Sequence, residues 1–114
     1  MPTYDEISES LGKSLSEDQL TKLIRECYRL AATPTITNVA VPFFLAGIFS
    51  SIKTRWFESS PLSNELTTVL DGRLIPTIKA LLESVRGPSR PEVVLSRMNH
   101  VVQAYYRCCR EFGS

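Results

Sequence analysis

Few residues in this chain could do chemistry: the thiols of Cys27, Cys108 and Cys109, the imidazole of His100, and carboxylates near the start. Cys108 and Cys109 are adjacent. On a helix their side chains point about 100° apart, so the pair does not readily chelate one ion. Cys109 is flanked in sequence by Arg107 and, on its other side, Arg110. Guanidinium charge lowers a thiol pKa, which makes Cys109 the one residue with a redox or acylation chemistry to test. Cys27 and Cys108 fall on apolar faces and are expected to be buried structural thiols. His100 has no second ligand at metal-binding spacing and reads as a surface residue. Glu6, Glu9, Glu17 and Asp18 stand at helix starts or on polar faces, where capping and the helix dipole account for them. The five glycines are scattered at helix ends and at Gly47, with no phosphate-cradling loop. The expectation is a non-enzyme with no catalytic, metal or cofactor-binding residues.

Bulk composition narrows the class. At 114 residues the chain suits one domain, 1–114, with a single core. Net charge is +1, which excludes a strong global field for nucleic acid or anionic lipid. Charge is nevertheless uneven. Asp5, Glu6, Glu9, Glu17 and Asp18 crowd the first twenty residues, while Arg86, Arg90, Arg97, Arg107 and Arg110 dominate the end. Three cysteines, an odd number without regular spacing, read as reduced thiols. The opening "MPTYDEISES" lacks a basic region followed by an apolar one, so a cytoplasmic protein is expected.

The elements that must position these residues are well punctuated. Thr3 and Glu6 have capping-box spacing before a short helix that Gly12 ends. Ser16 and Gln19 repeat that spacing before Leu20, Leu23, Ile24, Cys27, Leu30 and Ala31, an amphipathic helix closed by Thr33-Pro34. A third helix runs from about Thr37 to Phe57, with Pro42 in or near its first turn. Ser60 is the candidate cap of the next helix, with Pro61 at its first position and Leu62, Leu66, Val69 and Leu70 inward. Asp71-Gly72 reads as a stop before Ile75, Ile78, Leu81, Leu82 and Val85, although one long helix bent near Gly72 is the alternative. Ser89 and Glu92 precede a last helix whose Val94, Met98, Val101, Tyr105, Cys108 and Phe112 keep the 4,3 spacing of a packed seam. No β-alternation survives. The expected fold is all-α, a compact orthogonal or up-down bundle of five to six helices with a central buried helix near 40–57.

"TITNVAVPFFLAGIFSSI" carries no charge, but Thr35, Thr37 and Asn38 make its first half polar. Its strongly apolar part, Val39 to Phe49, is about half of the roughly 20 residues a membrane span needs. A buried helix is expected, not a span. Phe44, Leu45, Ile48 and Phe49 would be its inner face, and Ala46, Gly47, Ser50 and Ser51 would admit a second helix closely.

The function expected is protein–protein interaction or regulation, an adaptor working through helix packing, with another protein or a second copy as partner. Leu95, Val102, Tyr106 and Cys109 widen the apolar stripe of the last helix beyond what its seam needs. Tyr105, Tyr106, Arg107 and Arg110 are the candidate contact residues there, and Trp56 and Phe57 form a second candidate patch. The alternative is nucleic-acid binding through Asn99, His100, Gln103, Arg107 and Arg110. "YDEISESLGKSLSEDQLTKLI" resembles a helix-turn-helix at Leu11-Gly12, but Glu17 and Asp18 would meet phosphates with the wrong sign. A carrier of a small apolar ligand is the third alternative.

Overall fold

The computed structural model describes residues 3–34, 36, 38–58, 62–88 and 90–112. It is all-α, with no strand among the described residues. Contacts divide the chain into two compact units, Met1–Pro61 and Leu62–Ser114.

In the first unit, α1 (Tyr4–Ser10) leads to α2 (Glu17–Ala31) and α3 (Ala40–Ile52), and α3 continues into a π-helical turn, Lys53–Glu58. Thr3 and Ser16 cap as expected, their hydroxyls accepting from the N–H of Glu6 at 3.4 Å and of Gln19 at 3.1 Å. The second capping box is not completed. The Gln19 amide turns away and donates to the Ser10 carbonyl, tying the end of α1 to the start of α2. Packing of α2 on α3 makes the core. Leu20, Leu23, Cys27 and Leu30 are buried on α2, and Val41, Leu45, Ile48, Phe49 and Ile52 on α3.

Pro42 sits in the first turn of α3, where its missing N–H removes no helical bond. The strip of small residues is not packed as expected: Ala46 is buried, but Gly47, Ser50 and Ser51 are exposed. The reason is helical phase, since the α2-facing stripe already uses the opposite side. In the π-turn, residues five apart share a face. Lys53 Nζ therefore reaches Glu58 Oε1 at 3.2 Å.

In the second unit, α4 (Asn64–Val69) runs through a π-helical turn, Leu70–Leu74, directly into α5 (Ile75–Val85). Ser63 is the N-cap of α4, accepting from the Leu66 N–H at 3.1 Å. The expected cap Ser60, with Pro61, lies outside the described residues, as does Ser89. Leu62, expected inward, is exposed and precedes the helix. Asp71-Gly72 does not stop the chain. All the backbone angles given for the two junctions are right-handed helical. A proline ring collides with the carbonyl four residues back, here Gly72, and the wider π-turn lies where that carbonyl must move aside. The long α6 (Pro91–Phe112) then packs along α5.

Among the described residues, no helix is long and apolar enough to cross a membrane.

Candidate functional site

The last helix shows three different sides. Of its expected seam, Val94, Val101, Tyr105 and Cys108 are buried, while Met98 and Phe112 are half-buried. Seam, π-turn and α5 together form the core of the second unit, where Leu70, Leu74, Ile78, Leu81 and Leu82 are buried. Arg97 helps fix the pairing, its Nη1 donating to the Ala80 carbonyl of α5 at 2.7 Å.

On one flank of that seam, Leu95 is 64% exposed and Tyr106 57%, with half-buried Val102 and Cys109 between seam and solvent. Steps of seven, four and three residues align these side chains along about four turns. Exposed Asn99 interrupts this apolar edge one turn after Leu95.

The other flank is cationic. Arg107, His100, Gln103 and Ala104 on α6 face Arg73 of the π-turn and Thr77 of α5 around a hollow of about 190 Å³. Glu111 pairs with Arg73 and anchors its guanidinium at one end. Thr77 donates its hydroxyl to the Leu74 carbonyl at 2.6 Å, so the hollow receives no hydroxyl hydrogen from it. Burial raises the Cys108 thiol pKa, and the charges of Arg73 and Arg107 both pull against that rise. Cys109 and Glu111 add to it. A second hollow, about 420 Å³, is lined by Asn64, Glu65, Thr68, Val69, Glu111 and Phe112.

The six residues singled out in the sequence do not share one surface. Trp56 is 3% exposed within the first π-turn, and Phe57 beside it is half-buried. Tyr105 is 8% exposed and belongs to the seam; its ring lies 5.9 Å from that of Tyr106. Tyr106 stands on the apolar flank, Arg107 lines the hollow, and Arg110 is exposed between them. His100, also read as a surface residue, is exposed at the hollow's edge.

Sequence reasoning missed an aromatic pair in the first unit. Exposed Tyr28 of α2 meets exposed Phe43 of α3 edge to face, with centroids 6.0 Å apart and planes at 66°. Val39, one turn before Phe43, is exposed too. The signal was present as phase: Phe43 falls about 160° around the helix from Leu45. Inside an uninterrupted apolar run that outward residue is hidden by its neighbours.

Cys27 and Cys108 are buried and Cys109 half-buried, all three as free thiols. Among the described residues, no three His, Cys, Asp or Glu side chains gather to hold a metal ion.

A scan against protein-family models, a search of curated proteins and a search of solved structures each returned no match. The functional reading therefore rests on these surfaces.

Proposed function

We propose that this protein is a non-catalytic interaction module that receives a partner helix along the apolar flank of α6. The observation that carries the reading is the exposure of Leu95 and Tyr106 on one line, beyond the seam that α6 already buries. An apolar edge of that length leaves water only by covering it, and aromatic residues are enriched among the anchors of such contacts. The partner is another protein or a second copy of this chain. Arg110, exposed just outside the edge, would lie at the polar rim. Three free thiols fit a reducing compartment, which supports a cytoplasmic role.

Changing Leu95 and Tyr106 together to Ala is expected to reduce association at least tenfold while circular dichroism stays unchanged. Sedimentation of the purified chain over a range of concentrations reads self-association, and co-purification with tagged wild type and variant reads other partners. A chain that stays monomeric and captures nothing the variant loses would count against the module. The competing nucleic-acid reading is favoured by the exposure of Asn99, His100, Gln103, Arg107 and Arg110 along one polar side. Two arginines give modest phosphate affinity, so it ranks second.

A further inference from the structure

We infer that the hollow between the second π-turn, α5 and α6 is a binding site for a phosphate monoester carried on a small apolar or aromatic group. The inference is independent of the apolar flank, which lies on the other side of the α6 seam.

Charge and donor geometry come first. Arg73, Arg107, His100 and Gln103 all contribute to the wall of one concavity, which places two guanidinium-bearing side chains beside it. Guanidinium groups present fixed forks of N–H donors that match oxyanions, and they remain charged at any working pH. Glu111 takes Arg73 through Nη1, leaving the rest of its fork available and restricting where it points. A carboxylate offers two oxygens and one charge. A phosphate monoester offers three oxygens and close to two charges, which uses more of this donor set.

Shape argues for an organic root on the phosphate. A volume of about 190 Å³ corresponds to roughly six waters at the liquid's share of volume. That exceeds what a bare oxyanion fills. Ala104 contributes a methyl to the wall, and Thr77 has its hydroxyl hydrogen already committed to Leu74. Those two supply apolar contact, not donors, beside the cationic rim.

Backbone form gives a further reason. Arg73 is carried on the π-turn, not on a regular helix. A π-turn adds one residue to the helix and re-aims the side chains it carries, and such turns recur at functional sites. Here that turn places Arg73 on the wall of the same hollow as Arg107.

The test is a titration of the ¹⁵N-labelled 114-residue chain followed by amide correlation spectra, using phenyl phosphate, inorganic phosphate, benzyl alcohol and a short oligothymidylate as probes. Expected are saturable shifts centred on Thr77, Gln103, Ala104 and Arg107 with phenyl phosphate. Inorganic phosphate binds the same residues more weakly, and benzyl alcohol does not saturate. Arg107→Met keeps the alkyl stem and removes the charge, and it should weaken phenyl phosphate about tenfold or more. Gln103→Leu, also at an exposed position, gives a second and smaller loss, so the result does not hang on one variant's folding. Phenyl phosphate shifts that are scattered, unsaturable or unchanged in both variants overturn the inference. Equal binding of inorganic phosphate or of benzyl alcohol overturns it too, in favour of a bare-anion or an apolar site. Tighter binding of the oligothymidylate at these residues replaces it with nucleic acid.

Discussion

Cys27 is fully buried on α2, and burial, with the Glu26 charge adding to it, pushes its thiol up from 9.0 to about 12. Tyr4 is raised from 10.0 to about 12, first by burial and then by a charge on Cys27. Both groups fold in their neutral, protonated forms. Below pH 9 the folded and unfolded chains bind these protons equally, and the stability they allow is fully present. Above it the unfolded chain loses the Cys27 proton first, so stability falls as pH rises toward 12. At pH 10 the loss is on the order of 1 kcal/mol from Cys27 alone. Denaturant unfolding at pH 7 and pH 10 should show this fall, and Cys27→Ala should remove most of it. An equal fall in the variant would assign the alkaline sensitivity elsewhere. That Cys27 and Cys108 are buried was readable from their place on apolar stripes. That Trp56 and Tyr105 are almost wholly covered was not, because an aromatic residue at a helix end or beside another tyrosine serves core and surface equally well.

At the scale of elements, hydroxyl caps located the starts of α1 and α2, and 3,4 spacing or apolar run length located α3 and α6. The α4–α5 helix was harder. Leu66, Leu70, Leu74, Ile78, Leu81 and Leu82 are buried along one continuous helical run. In a regular α-helix the later members drift around the axis from the earlier ones, and Asp71-Gly72 then looks like a break. The π-turn absorbs the drift by taking in one extra residue. No residue type announces such a turn, so the sequence could show the phase jump but not how the backbone met it. The hollow beside Arg73 escaped notice for the same reason, because its residues converge only once that turn is in place. Gly47 offers a test at this scale. It lies in α3 with nothing within 4 Å of where a Cβ would stand. Gly47→Ala should therefore stabilise the fold by roughly 0.5–1 kcal/mol through lower unfolded-state entropy, read as a higher denaturant midpoint. A lower midpoint would mean that a partner helix does approach this strip.

For the whole molecule, the length suits one domain, while the contacts gather into Met1–Pro61 and Leu62–Ser114. Units of this size bury only about 60% of the surface their unfolded chains expose and are marginal alone. One cooperative transition is the expected behaviour. Trp56 fluorescence reports the first unit and far-ultraviolet circular dichroism reports both, so their thermal midpoints should coincide. Two separated midpoints would show independently folding halves. The second π-turn also sets how this chain tolerates changes in length. Deleting a single residue within Leu70–Leu74 would leave every loop untouched and the helix unbroken. The shortened segment would close as a regular α-helix and keep Ile78, Leu81 and Leu82 in line with Leu66. A one-residue gap between variants of this chain can therefore fall inside this turn, whereas the same loss within α5 or α6 would turn every following side chain by about 100°.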